Sequence, residues 1–325
     1  MKVSVIIPVY RVEKFIEKCA ASLFSQTLDD VEFIFVDDAS PDNSMAVLEK
    51  CIQQYPQRKA QIRMLTHKEN KGLPAARNTG LAAASGEYVF HCDSDDFVEP
   101  DMLETLYDEA KKKDADIVWC DWYLSFEHNE RYMKQPDYAT PMEALKAMLA
   151  GLMKFNVWNK LVRRRLYADN QISFPAGYAM GEDMTMMLLF AVAGRVAYVP
   201  QAFYHYVKLN TEAYSQNFSL NHLESVKHNI RTVELFLHSR LGNVLDLEIA
   251  CMKLEAKFPF LMSSRKEMYR LWERTYPEAN IYILQNHYIS RRRRWVQWCA
   301  AKQLWFLVRL HGWIVGKLIY GIIYR

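Results

Sequence analysis

Residues 86–96 read Gly-Glu-Tyr-Val-Phe-His-Cys-Asp93-Ser94-Asp95-Asp96. A short apolar run runs directly into three carboxylates in four positions. The run predicts a buried strand over 87–92, and the acids then stand where that strand ends. Working outward, Val3-Ser-Val-Ile-Ile-Pro8-Val9 is a second apolar run with β-branched residues, and 31–36, 62–65 and 115–122 are three more. Between them, 12–25 sets Val12, Phe15, Ile16, Cys19 and Leu23 on one helical face. Stretches 42–55, 72–84 and 100–113 also read as helices, the last with Pro100 near its first turn. Strands alternating with helices imply βαβ units, so the expected fold class is α/β with a mainly parallel central sheet.

Beyond about residue 125 the rhythm changes. Stretches 142–152 and 185–193 read as helices, 195–207 as an extended segment rich in aromatics, and 220–274 as helical throughout. Three parts are expected: an α/β domain over 1–215, a helical extension over 216–285 and a basic tail over 286–325. Hydrophobic residues make up 50% of the 325 and charged residues 24%, enough for a folded core. Eleven Gly and eleven Pro exclude collagen-like or Pro-rich architecture. A net charge of +3 gives no nucleic-acid footprint. The six cysteines form no CxxC pair, which excludes a zinc ribbon, argues against a disulfide framework and fits a reducing, cytoplasmic compartment. Only Lys2 precedes the apolar run 3–9, which is too short for a secretory signal.

In open α/β sheets, ligands bind at the carboxyl ends of the strands. Three segments arrive there: Pro8-Val9-Tyr10, Asp37-Asp38-Ala39-Ser40 and Asp93-Ser94-Asp95-Asp96. Asp37-Asp38 also reads as ordinary turn and cap chemistry. The second acidic cluster is self-repelling, and a hard divalent cation, Mg²⁺ or Mn²⁺, would relieve it and bridge to a diphosphate. Between them lies Asn70-Lys-Gly72-Leu-Pro-Ala-Ala-Arg77-Asn78-Thr-Gly80. A glycine-bearing helix start can turn N–H groups toward phosphate, and Arg77 can neutralise the same anion. Taken alone, the stretch reads as a capped helix with a surface arginine, and only its place between the two acidic strand ends gives the anion reading weight. Asp183 precedes the apolar run 184–193 and reads either as a helix cap or as a positioned base.

In their joint order, SVIIPVYRVEKFIEKCAASLFSQT, FIFVDDASPDNS, NKGLPAARNTGLAAASGEYVFHCDSDD and Gly181-Glu182-Asp183 resemble the family 2 glycosyltransferases with a GT-A nucleotide-sugar-binding domain. The resemblance covers roughly residues 1–215. Val157-Trp-Asn-Lys-Leu161 is similar to members that build bacterial capsules and lipopolysaccharide. The resemblance implies an inverting transfer from a nucleotide-diphosphate sugar, usually a UDP-sugar, to a glycan or lipid-linked glycan, with Mg²⁺ or Mn²⁺. It implies that Pro8, Val9 and Tyr10 line the nucleobase pocket and that Asp37 bonds the uracil. Arg77 and Ser94 would lie by the nucleotide, and Asp93 and Asp95 would form the metal-binding DxD motif. Asp183 would be the base with Glu182 beside it, and His205 would close over the diphosphate or metal, although by itself it reads equally as a buried structural histidine. Tyr204, Tyr206, Tyr178 and Trp158 could stack on sugars or fill the core, and Asp121 is a further candidate facing the acceptor.

The far end of the chain carries a separate signal. From 279 to 325 there are eight Lys/Arg and no Asp/Glu, which leaves 33 basic against 38 acidic residues elsewhere. Four arginines at 291–294 lead into a stretch with Trp295, Trp298 and Trp305, and Lys302, Arg309 and Lys317 recur at helical spacing. This is the composition of an interfacial helix on an anionic membrane surface. The other reading is a helix packed on the rest of the protein. No run of 18 apolar residues predicts a membrane span. The expectation is a peripheral protein on the inner face of the cell membrane, with no nucleic-acid partner. Two rival functions are a sugar-nucleotide pyrophosphorylase and an inactive sugar-nucleotide-binding partner. The first wants a glycine-rich loop where Pro8-Val9-Tyr10-Arg11 stands, and the second has no use for intact Asp93, Asp95 and Asp183.

Overall fold

A computed structural model describes residues 1–178, 181–208, 220–263 and 265–315. The chain forms two compact units, Met1–Leu145 with Lys154–Val233, and Lys146–Met153 with Glu234–Arg325. The first unit holds a nine-stranded sheet. Its strands are β1 Val3–Val9, β2 Val31–Asp37, β3 Ile62–Thr66, β4 Tyr88–His91, β5 Phe97–Val98, β6 Ile117–Ser125, β7 Glu130–Met133, β8 Lys160–Arg163 and β9 Val196–Val207. They lie in the order β3-β2-β1-β4-β8-β6-β9-β5, with β7 paired to β6. The pairs β1/β2, β2/β3, β1/β4 and β6/β9 are parallel; β8, β5 and β7 join antiparallel. From β1 the chain winds outward through β2 to β3, then crosses to β4 on the other side of β1. That reversal opens a crevice at the carboxyl ends of β1 and β4.

Every residue of β1 and β4 is buried, as expected of strands covered on both faces. The helix Ile16–Phe24 turns Ile16, Cys19, Ala20, Leu23 and Phe24 inward, and Phe24 meets Phe33 edge-on at 5.5 Å. The helix Leu73–Ala83 packs on β1 and β2. It lies so close that a Cβ on Gly80 would stand 2.4 Å from Ile6 Cγ2, so only glycine fits there. The four leading strands lie within two residues of their expected positions. The sequence did not reveal β5, β7 and β8. Two to four residues are too few to show an alternation.

The second unit is helical. The helix Leu220–Leu241, whose residues up to Val233 belong to the first unit, ends at Gly242, whose φ of 60° suits glycine. Asp246–Lys257, the 3₁₀ turn Phe258–Met262 holding Pro259, and Lys266–Arg274 follow. The helical stretch expected over 220–274 is therefore interrupted at a glycine and at a proline. The boundary expected at residue 215 falls outside the described residues. The helices Arg291–Ala301 and Trp305–Ile314 bury Val296, Cys299, Ala300 and Val308. Trp305 stacks on Tyr269 at 5.1 Å and meets Trp272 edge-on, so it is a packing residue rather than an interfacial anchor. All six cysteines are buried and unbridged. Among the described residues no helix is long and apolar enough to cross a membrane.

Candidate active site

The two acidic strand ends each divide their labour. At the end of β2, Asp38 turns inward. Its oxygens accept from the backbone N–H of Lys71 and Gly72, both at 2.8 Å, and pair with His67 Nδ1 at 2.6 Å. Asp38 thereby pins the loop that starts the Leu73–Ala83 helix, with Gly72 at φ 85°. Asp37 is half-buried, and one of its oxygens accepts from Ser40 N–H at 2.8 Å. Ser40, Asp42 and Ser44 accept from the backbone of Arg11, Glu13 and Val12, tying this loop to the end of β1. Pro8 and Val9 are enclosed in β1, and Tyr10 is the exposed one of the expected nucleobase residues.

At the end of β4, Asp96 is the inward acid. It accepts from Tyr204 O–H at 2.7 Å and from Val207 N–H at 2.7 Å. The same phenolic oxygen accepts from Asp93 N–H at 3.1 Å, so β9 fixes the turn that carries Asp93, the buried Ser94 and the half-buried Asp95. Burial, reinforced by Asp95 and Asp93, holds the Asp96 carboxyl well above the usual carboxylate range.

Arg77 joins the pieces. It is 1% exposed, and its guanidinium reaches Asp93 at 3.0 Å, Asp183 at 2.6 Å and Glu182 at 3.4 Å. Burial opposes its charge, but the fields of Asp183, Asp93 and Glu182 outweigh that and keep it a firm cation. The surface-arginine reading of this helix is thus excluded. Burial raises both carboxyls of the Glu182-Asp183 pair. Glu182 is pushed up to about 8, first by burial and then by the charge of Asp183, against the pull of Arg77. Asp183 is also raised by burial, with Arg77 pulling it back. Neither acid caps a helix: the turn Glu182–Met184 and the helix Thr185–Val192 have no side-chain cap.

Three supports were not legible in the sequence. Asn78 exchanges two hydrogen bonds with the backbone of Phe174, both at 2.8 Å, holding the segment before Gly181 against the helix that carries Arg77. Tyr204 bridges Asp93 and Asp96. Lys160, in the Val157–Leu161 motif, is fully buried and donates to the carbonyls of Lys154 and Asn156 and to Asn159 Oδ1. Burial draws Lys160 down to about 7, while the charge of Asp183 works in the other direction.

Several expected roles need correction. His205 Nε2 pairs with Glu99 at 2.8 Å and Nδ1 with Glu130 at 2.7 Å, and its ring stacks on Phe97 and Tyr123. With both nitrogens engaged it offers none to a metal. Asp121 is buried and accepts from Tyr132, Tyr198 and the Gln135 N–H, at a register slip between β6 and β9. Trp158 and Tyr204 are buried and stack on each other at 4.5 Å, so they are core rather than sugar platforms. Tyr178 is exposed and stacks on His228 at 3.6 Å.

Among the described residues no three His, Cys, Asp or Glu side chains form a ready metal cage. The donors still fit a hard cation. Asp93 and Asp95 present carboxylate oxygens only, and Mg²⁺ is ordinarily held by one or two carboxylates completed by substrate phosphate.

The chain is 36% identical over 212 residues to the uncharacterized glycosyltransferase EpsJ of Bacillus subtilis (strain 168), an alignment covering 63% of this chain and 60% of EpsJ. It is 31% identical over 305 residues to the cholesterol galactosyltransferase of Borreliella burgdorferi, covering 87% and 82% of the two chains. Residues 1–349 of S. aureus TarS, solved in complex with UDP-GlcNAc, match with a TM-score of 0.71 over 95% of this chain and 90% of that one. At 21% identity this likeness shows the fold, a GT-A-like α/β domain with a helical carboxyl-terminal region. The model of glycosyl transferase family 2 matches residues 4–176. The chain belongs to glycosyl transferase family 2.

Proposed function

We propose that the chain moves a sugar from a UDP-sugar to a hydroxyl of a glycan or lipid-linked glycan, with inversion at the anomeric carbon, in building a cell-surface polysaccharide. The observation that carries this reading is Arg77, which ties Asp93 of the DxD turn to the Glu182-Asp183 pair. The donor end and the acceptor end of a transfer site are thereby held within the reach of one side chain. Tyr10 and Asp37 receive the nucleobase. Asp93 and Asp95 would hold a Mg²⁺ or Mn²⁺ ion, which when bound would supply positive charge against the departing diphosphate. Asp183 takes the proton from the acceptor hydroxyl, and its raised affinity for protons suits it as a base. One base on the acceptor side fits a single displacement, which inverts the centre. Arg77 compensates the negative charge left between the carboxylates once the acceptor is in place.

The test is a panel of UDP- and GDP-sugars with a lipid-linked acceptor pool, with and without Mn²⁺, read by nucleoside diphosphate release and by NMR of the new linkage. Metal-dependent UDP release with an inverted product is the expected result. Release of pyrophosphate, retention of configuration or indifference to chelation would each overturn the corresponding part. The same reading places the reaction on the inner face of an anionic membrane, where lipid-linked acceptors reside.

A further inference from the structure

We propose that the helix Trp305–Ile314 lies in the plane of an anionic lipid surface, with Phe306, Leu310, Trp313 and Ile314 inserted and the neighbouring cations on the headgroups. This refines the membrane location given above and needs no catalytic step. Phe306 is 72% exposed, Leu310 41%, Trp313 57% and Ile314 40%. Their spacing of four, three and one puts them on a single stripe of the helix. Lone exposed apolar residues are ordinary, but a continuous stripe with two large aromatics marks an interaction surface. The opposite side is already used, with Val308 buried and Trp305 against Tyr269.

The charges identify the occupant. Arg309 is exposed on the stripe itself, Lys302 is exposed just before the helix, and Arg291 and Arg292 are exposed on the preceding one. Arg293 is spent on Glu255 at 2.8 Å, and Arg294 donates to the Asn286 carbonyl. No Asp or Glu occurs from 279 to 325. A second copy meeting this face through itself would bring like charges together. A neutral apolar partner would leave the cations without a role. An anionic bilayer takes both, with aromatic side chains at the interface and long basic ones reaching the phosphates. Ten residues suffice to lie on such a surface.

The full chain is sedimented with vesicles of phosphatidylcholine, or of equal parts phosphatidylcholine and phosphatidylglycerol, at about 0.1 M and about 1 M salt, where the Debye length falls from about 10 Å to about 3 Å. Binding to the phosphatidylglycerol vesicles is expected. Phe306→Ser with Leu310→Ser should weaken it at least about tenfold at both salts. Arg291→Ala with Arg292→Ala should weaken it several-fold at low salt and leave it unchanged at high salt. Both pairs are exposed, so thermal unfolding should match the parent chain. Equal affinity for the two vesicle types overturns the proposal, as does unaltered binding by the serine variant. So does a parent chain that sediments as a dimer without lipid and becomes a monomer on the serine substitutions. UDP binding measured alongside separates this surface from the donor site, because either can fail while the other persists.

Discussion

The centre around Arg77 and the helices from Arg291 to Ile314 both concentrate charge, and they treat it in opposite ways. At Arg77 the charges are of both signs, enclosed, and answered by one another within 3.4 Å. In the carboxyl-terminal helices they are of one sign, largely exposed, and joined by exposed aromatics. A buried charge has to find its counterpart inside the protein, because desolvation makes an unpaired ion costly. An exposed cation is already solvated and commits to nothing until something anionic arrives. The first arrangement fixes a geometry and the second leaves a surface available.

The contrast is broken most severely by Arg77→Met. Asp183 and Asp93 lose their common cation, and the fold should lose about 3–5 kcal/mol in denaturant titration, with activity gone. A loss near zero would mean that the acids are protonated or hydrated, and the centre is then not an ion network. Next in size is Asp183→Asn. It should lower kcat about 10²-fold or more while UDP affinity stays near the parent value. Asp95→Asn should do the reverse, removing the metal dependence of UDP binding. If the two variants give the same pattern, donor and acceptor roles are not divided as proposed.

A smaller effect concerns pH. Burial and Asp183 raise the Glu182 carboxyl to about 8. A carboxyl whose affinity for protons is higher in the fold than in the unfolded chain binds more protons when folded. Its contribution to stability is therefore lost as pH rises from about 4.5 to about 8, and is constant above that. Glu182→Gln, in metal-free protein, should flatten this part of the stability profile, and an unchanged slope would show that Glu182 is ionised in the fold. The smallest expected effect belongs to the other region. Phe306→Ser should move stability by no more than about 0.5 kcal/mol, since the side chain has few contacts to lose. A larger loss would show the stripe to be part of a packed core.

Which parts of this were legible beforehand follows from how local each signal is. The runs that became β1, β2 and β4 announce themselves by composition, and the acids that follow them by position. The separation of Asp37 from Asp38, and of Asp93 and Asp95 from Asp96, was not legible. It depends on partners at Lys71, Gly72, Tyr204 and Val207, which come from other elements. Arg77 read as a phosphate neutraliser, yet its observed partners stand 16 and 106 positions away. His205 misled because an imidazole near acids has two readings, and only β5 and β7, too short to be seen in the sequence, decide between them. The tail's packed face was hidden for the same reason, since Tyr269 and Trp272 lie on another helix.

The hold of Tyr204 on the Asp93 turn has a consequence for the order of events during synthesis. A ribosome delivers β1, β2, β3 and β4 first, and these can pair among themselves from the amino-terminal third of the chain. The turn at Asp93 must then wait for a hydroxyl more than a hundred residues downstream, and Arg77 for an acid equally remote. The scaffold is ready long before the centre it carries. A nascent chain released early would be a stable-looking sheet with its active groups unset, so full competence for transfer is a late checkpoint of translation.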